Sequence, residues 1–506
     1  MTPVDTALLT RRTDRAAYTQ GCIVLSLLAV AIATRAGRIG DPAIHMDEQF
    51  YLLMADRMWH GVLPYVDLWD RKPVLLFLIY AALRPFSPDG IVAYQIGALL
   101  FAVLTAYFIV LIAQRFASQT GAWLAGIAYL LYLPILSGAG GQSPVFYNLF
   151  MAIGAWEVIR AGEANDTAGI RRHGLRSMIW AGLAIQVKYT AAIEGVAFGL
   201  WLIALLARDR RTSMPGVMVQ AATWVLVALT PTLLALGSYL LIGHGREFVQ
   251  ANFLSILEKR DPHGFSSLPF LWATLAQLSP LLLVAAASIL KVARRAIAAA
   301  PWRFLLLWTG CAVVEFLAIG NFYDHYALPL LVPALILCAP LLSTAVGGAA
   351  AIALFGWCAL LTTAYPTGYW REFDQARIQA MVEAARPYAA HGCLYLNDGP
   401  PIVYLLTHSC LPTRYVFPSH LNEAPEAGAT DAVRSMAALL ASRPSAIFVA
   451  DKPMNHPRNA TTAAMLDAAL AKDYVRTVTL PDVLPNAWQM LYVRKDLLPQ
   501  GQSEVH

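Results

Sequence analysis

The longest polar insertion between apolar stretches runs from His45 to Pro73. It opens with His45-Met46-Asp47-Glu48-Gln49-Phe50-Tyr51 and closes with Asp67-Leu68-Trp69-Asp70-Arg71-Lys72-Pro73. Carboxylates can move a proton, and a lysine can hold a phosphate. Phe50, Leu53, Met54 and Met58 follow helical spacing, and Gly61 closes the run. A helix over 47–60 with one apolar face is therefore expected, lying on the membrane surface. Asp47 and Glu48 fall in its first turn, where the helix dipole favours anions. Spacing alone leaves two readings open: a functional carboxylate pair, or first-turn acids on a solvated helix. Lys72 stands where apolar sequence resumes. It either contacts a lipid phosphate or snorkels as boundary lysines do.

Two further polar groups interrupt apolar sequence. Asn321-Phe322-Tyr323-Asp324-His325-Tyr326 separates two apolar runs. Histidine and tyrosine at such a boundary are often belt residues; three polar side chains beside them favour a site. Lys188 lies in Ile185-Gln186-Val187-Lys188-Tyr189. A mid-span charge costs about 3 kcal/mol or more and marks function by default. At a hairpin turn both the cost and the inference shrink.

These residues need elements to position them. Of 506 residues, 58% are hydrophobic and 14% charged, against roughly 25% charged in a soluble domain. That excludes a disordered chain, a collagen and a disulfide scaffold, and indicates an α-helical polytopic membrane protein. The net charge of +5 does not mark a nucleic-acid binder, because the basic residues form short clusters between apolar runs.

A span needs about 20 mostly apolar residues. Eleven spans are expected, at 21–36, 91–113, 121–136, 145–159, 177–189, 191–207, 217–242, 268–290, 304–319, 326–342 and 348–364. Arg11, Arg12 and Arg15 hold the N-terminus inside. Spans alternating from there place Arg115, Arg160, Arg171, Arg172, Arg176, Arg208, Arg210, Arg211, Lys291, Arg294, Arg295 and Arg303 on the cytoplasmic side. The opposite loops hold Asp41, Asp47, Glu48, Asp56, Asp67, Asp70, Glu247, Glu258, Asp261 and Asp324. This asymmetry requires 177–207 to be a hairpin of two spans. It also requires 74–86, too short to cross, to be a juxtamembrane helix at the outer face. The C-terminus is then outside.

From about Thr367 the apolar runs shorten. Strands are expected at 393–396, 446–449, 474–480 and 489–493, with helices at 432–442 and 461–471. The expected organisation is a cytoplasmic segment 1–18, a transmembrane domain 19–366 containing the outer loop 37–90, and a periplasmic α/β domain 367–506. Cys22, Cys311, Cys338 and Cys358 sit in apolar runs as small hydrophobes. Cys393 and Cys410 lie in the soluble domain. In an oxidising compartment they would pair across a short loop; the alternative is two free thiols. Asn397-Asp398-Gly399 reads as a turn opening a helix. Arg414 either flanks a strand or faces the site.

Asp47-Glu48 at a helix start, with Asp70-Arg71-Lys72-Pro73 opening an apolar segment, resembles the bacterial GT-C glycosyltransferases. The nearest branch is the protein-mannosyltransferase-like group that includes the aminoarabinose transferase of lipid A. The resemblance extends to Lys188 after a Gly-Leu-Ala helix. It also takes in Asp324-His325-Tyr326 followed by Leu328-Pro329-Leu330-Leu331-Val332-Pro333, and covers most of residues 20–345. It implies a GT-C fold in the bacterial inner membrane. It implies an inverting transferase that moves a hexosyl or pentosyl group from a polyprenyl-phosphate carrier to an acceptor hydroxyl at the periplasmic face, as in lipopolysaccharide or protein glycosylation. The acceptor would be a lipid, a glycan or a protein. Asp47 would be the catalytic carboxylate with Glu48 beside it. Lys72 would hold the carrier phosphate, helped by His325, Tyr326 and Lys188. Asp70, Gln142 and Asp324 would bind substrate.

One departure stands out. Family members often carry another acid in the second outer loop, which here reads Gly138-Ala139-Gly140-Gly141-Gln142-Ser143-Pro144. Gln142 or Asn148 would bind sugar instead. No metal or other cofactor is expected to be required; a divalent metal is not supported by this pattern. The alternative function is a transporter or flippase of a lipid-linked saccharide. It should show paired repeats and mid-membrane polar residues; no clear repeat is found, and the ionisable residues cluster in loops.

Overall fold

The computed structural model describes residues 20–209, 212–258, 267–292, 299–364, 375–453, 456–482 and 486–499. Arg11, Arg12, Arg15, Arg210, Arg211, Arg294, Arg295 and Asp261 lie outside the described residues. The chain sorts into two compact units. One comprises Met1–Arg38, Ile96–Pro231 and Ser266–Pro366; the other comprises Ile39–Gln95, Thr232–Phe265 and Thr367–His506. The sequence places a border at 366/367. The structure adds the polar insertion and residues 232–265 to the C-terminal residues.

Every expected span is a helix. Eight are long and apolar enough to cross a membrane among the described residues: Gln20–Arg38 (α1), Ile91–Ala113 (α4), Gln119–Leu136 (α5), Tyr189–Arg208 (with α8, Ala192–Arg208), Met214–Leu241 (α9), Leu268–Lys291 (α12), Ala300–Ile319 (α13) and Asp324–Leu342 (with α14, Leu328–Leu342). Ser143–Gly162 (α6), Thr167–Ile185 (α7) and Gly347–Ala364 (α15) complete the set. The protein is a multi-pass membrane protein. Helix α7 starts ten residues before the expected span. Asp166 caps it by accepting from the Gly169 amide at 2.8 Å, so Arg171, Arg172 and Arg176 ride on a helix and not in a loop. The chain breaks after Ile185 and resumes as α8, so 177–207 is two helices.

In the first unit, small residues let helices touch. A Cβ on Gly182 of α7 would lie 2.6 Å from the Ala228 carbonyl of α9. A Cβ on Gly121 of α5 would collide with the Ala339 carbonyl of α14. Close approach at small residues is how helices pack where burial supplies no driving force. Helix α14 is buried along nearly its whole length.

The second unit begins with Met46–Trp59 (α2) and Val74–Leu83 (α3). His60 caps α2, and Gly61 turns away at φ +87°, a conformation glycine adopts freely. The expectation of a solvated polar face is corrected here. Glu48 through Asp56 are all buried, because α2 packs against α3 on one side and C-terminal residues on another. Glu48 is therefore no solvated first-turn acid. Residues 245–258, expected as loop, form Gly245–Val249 (α10), a π-helical turn at Gln250–Leu254 and Ser255–Glu258 (α11).

The C-terminal part runs Gln375–Ala389 (α16), Leu394–Leu396 (β1), Ile402–Leu406 (α17), Ser419–Asn422 (α18), Ala432–Ala441 (α19), Ala446–Ala450 (β2), Ala460–Asp473 (α20), Tyr474–Pro481 (β3) and Trp488–Arg494 (β4). The sheet order is β1-β2-β4-β3. β1 and β2 are parallel; the other pairs are antiparallel. Tyr395, Ile447 and Val449 of the sheet pack on Met436, Leu439, Leu466 and Leu470 of α19 and α20. Cys393 and Cys410 form a disulfide.

Candidate active site

The sequence-selected residues divide between the units. Asp47, Glu48, Asp70 and Lys72 belong to the second, and Gln142, Lys188, Asp324, His325 and Tyr326 to the first.

In the second unit, His45 caps α2, its ring Nδ1 accepting from the Asp47 amide at 3.2 Å. Asp47 is half-buried at the helix start. Glu48 is fully buried and shares a hydrogen bond with Tyr94. The 64–72 loop brings Asp70 into the electrostatic reach of both Asp47 and Lys72. Burial pushes the Asp70 carboxyl above its ordinary range. The Lys72 charge and a bond from the Lys72 amide (2.7 Å) pull it back, and Asp47 pushes it further up. The Lys72 ammonium lies 5.8 Å from the Tyr51 ring centroid, within cation–π range. Its carbonyl accepts from the Tyr65 hydroxyl at 2.8 Å. Two carboxylates and a cation thus share one neighbourhood.

In the first unit, Lys188 sits at the turn after α7. Its ammonium is 4.3 Å from the centroid of the Tyr326 ring. The His325 ring is 4.4 Å from that of Tyr326 and stacks parallel to Tyr323. Asp324 accepts from the Ser137 hydroxyl at 2.7 Å and from the His325 amide at 2.7 Å. The structure therefore brings Lys188, His325 and Tyr326 together. It gives Asp324 to the 137–144 loop. Gln142 is buried, and its amide nitrogen has no hydrogen-bond partner among the described residues. Asn148 donates to the Leu328 carbonyl at 3.0 Å and ties α6 to the start of α14.

Four residues at or beside these groups escaped the sequence reading. Arg35, 2% exposed, donates to the carbonyls of Ala139 (3.0 Å) and Gly138 (3.3 Å). The signal was a cation inside an apolar run. Tyr51 and Tyr65 carried none, since buried tyrosines are ordinary. Arg71 was visible but gave no hint of its partner. Arg414 flanks no strand; it donates to the Tyr65 carbonyl, and its own carbonyl accepts from the Trp69 amide at 3.0 Å. Asp398 is a hub inside the small domain. It accepts from Asn422 at 2.7 Å, Asn397 at 2.9 Å and the Ala450 amide at 3.3 Å. Its burial raises its carboxyl above the ordinary range, against the pull of Arg458.

Residues 70–234 match the family model described as dolichyl-phosphate-mannose-protein mannosyltransferase. No curated protein matches the chain in sequence. Among solved structures the chain is similar to ArnT from Cupriavidus metallidurans in the apo state. The identity is 14%, the match covers 96% of this chain and 100% of that one, and the TM-score is 0.62. ArnT bound to undecaprenyl phosphate matches at 13% identity over 94% and 97%, with a TM-score of 0.60. The archaeal oligosaccharyltransferase AglB from Archaeoglobus fulgidus, in complex with an inhibitory peptide and a dolichol-phosphate, matches at 11% identity. That match covers 86% of this chain and 69% of that one, with a TM-score of 0.53. At these identities the likeness is one of fold, and it spans the membrane helices together with the small C-terminal sheet domain.

Proposed function

We propose that this chain, which has the GT-C fold of the protein-mannosyltransferase and ArnT type, transfers a hexosyl or pentosyl group from a polyprenyl-phosphate carrier to an acceptor hydroxyl. The acceptor is a lipid, a glycan or a protein. The transfer takes place at the periplasmic face of the inner membrane, with the N-terminus in the cytoplasm. The observation that carries this reading is the grouping of Asp47, Asp70 and Lys72 in one electrostatic neighbourhood.

An inverting transfer is one in-line displacement. The acceptor oxygen forms a bond to the anomeric carbon as the bond from that carbon to the carrier phosphate breaks. It needs one base and a stabilised leaving group, not the two flanking carboxylates of a glycosidase. Asp47 is half-buried and accessible at a helix start; it accepts the acceptor's proton as charge develops. The bonding pair leaves with the phosphate, and Lys72 stabilises the charge gained there more in the transition state than before it. Glu48, sealed in the interior with Tyr94 as partner, holds the helix start in place. Lys188, His325 and Tyr326 help hold the carrier phosphate, in keeping with their mutual contact. Gln142, with a buried amide nitrogen lacking a partner among the described residues, suits a sugar hydroxyl, and Asp324 supports the loop that carries it. Lys72 supplies the positive charge, so chelator-treated membranes keep their activity.

The test is transfer from labelled polyprenyl-phosphate sugars in membranes. Asp47→Asn is expected to lose about 1,000-fold in rate. Full activity in that variant removes the proposed base. Movement of the lipid-linked sugar across the bilayer without transfer would favour a flippase.

A further inference from the structure

Arg71 stands between Asp70 and Lys72 in sequence, and its side chain reaches distant segments of its own unit. Its Nη1 and Nη2 donate to the two carboxylate oxygens of Glu426, the first at 3.0 Å. Its Nε donates to the Ser255 hydroxyl at 3.1 Å. Its guanidinium carbon lies 5.0 Å from the centroid of the Trp69 ring. Glu426 is 3% exposed. A two-pronged arginine–carboxylate pair fixes the plane of the guanidinium as well as its distance, and so restrains the backbone that carries it.

The rest of the loop is gripped by the same C-terminal stretch. The Trp69 amide donates to the Arg414 carbonyl, and Arg414 donates to the Tyr65 carbonyl. The Trp69 ring meets the His420 ring at 4.7 Å between centroids. Tyr65 sits at φ +70°, a conformation that a side-chain-bearing residue keeps only when its surroundings hold it. Tyr65 in turn holds the Lys72 carbonyl. Residues 414–426 therefore set the course of residues 65–72, and Glu426 supplies the charged contact among them.

We propose that Glu426 is a positioning residue: through Arg71 it holds the 70–73 segment in the conformation in which Lys72 meets the carrier phosphate. The proposal rests on the phosphate role given to Lys72 above. It gives the C-terminal domain a task in the reaction, that of keeping a phosphate-binding loop rigid before the lipid arrives.

The test uses the full chain purified in detergent micelles. Hydrogen exchange of peptides covering 64–73 is measured beside titration with undecaprenyl phosphate. Glu426→Gln is expected to speed exchange in 64–73 about threefold or more, with β2 and β4 unchanged as the sign of an intact domain. It is expected to weaken undecaprenyl phosphate binding about tenfold, the scale of one charged hydrogen-bonded pair. Glu426→Asp keeps the carboxylate and should recover most of both. Should Glu426→Gln fail to fold, Arg71→Lys carries the same comparison, since lysine keeps the charge but loses the two-pronged geometry. Unchanged exchange in 64–73 overturns the proposal, and so does a loosened loop that binds the probe as tightly as wild type. A loosened loop in a protein whose wild type binds no undecaprenyl phosphate supports the clamp and overturns the role of Lys72.

Discussion

Lys188 and Lys72 both lie near a tyrosine ring, yet the two regions hold them by different means. Lys188 is placed by helix ends: α7 stops at Ile185, and the turn that follows carries the lysine to Tyr326, at the head of another apolar helix. Lys72 lies in irregular chain between α2 and α3. It is placed by Tyr65 and, through Arg71, by Ser255 and Glu426. The first arrangement follows from where apolar runs stop. The second depends on partners 184 and 355 residues away in sequence. Helix ends thus position Lys188, while the irregular chain that carries Lys72 is held by polar ties.

The strongest way to sharpen this contrast is to remove each lysine. Lys72→Ala is expected to cost about 100-fold in sugar transfer, as loss of a charge on the leaving phosphate should. Lys188→Ala is expected to cost about tenfold, as a supporting contact. Membrane transfer assays read both, and equal losses would break the distinction. Next comes the disulfide. Its loop spans 17 residues, so Cys393→Ser with Cys410→Ser should destabilise the second unit by about 3 kcal/mol. Thermal unfolding with and without reductant checks this; a shift in the first unit's helices would contradict the division. A smaller effect is expected from Gly182→Ala, where the new methyl meets the Ala228 carbonyl. About 2 kcal/mol of overpacking strain is expected there, read as a lower unfolding temperature with the disulfide domain unaffected.

The smallest effect is one of pH. Burial holds the folded Asp70 carboxyl above its unfolded value. A raised acid favours the folded state while protonated. Its contribution is full below the ordinary aspartate range and is lost as pH rises through the folded value. Asp70→Asn should flatten the fall in unfolding temperature across that window. A fall just as steep in the variant would assign the pH dependence to other groups, Asp398 first among them.

Much of the fold was legible in sequence because the signals were local. The apolar runs all became helices. The hairpin at 177–207 followed from basic flanks, and the four strands fell within a residue or two of their expected ends. The first-turn position of Asp47 followed from helical spacing and Gly61. What failed were statements about surroundings. Helix α2 looked amphipathic but is enclosed, because periodicity reports one apolar face and says nothing of what covers the polar one. The 245–258 helices carry mixed charge and lack a clean period.

The sequence by itself determined the membrane class, the positions of the apolar helices, the small α/β domain and the residues able to do chemistry. These depend on residue type and short spacing. Only the tertiary structure decided which of those residues keep company. It sealed Glu48 with Tyr94, gave Asp324 to Ser137, set Lys188 against Tyr326 and fastened Arg71 to Glu426. Such pairings join positions far apart in the chain, and no local pattern encodes which buried charge will find which partner.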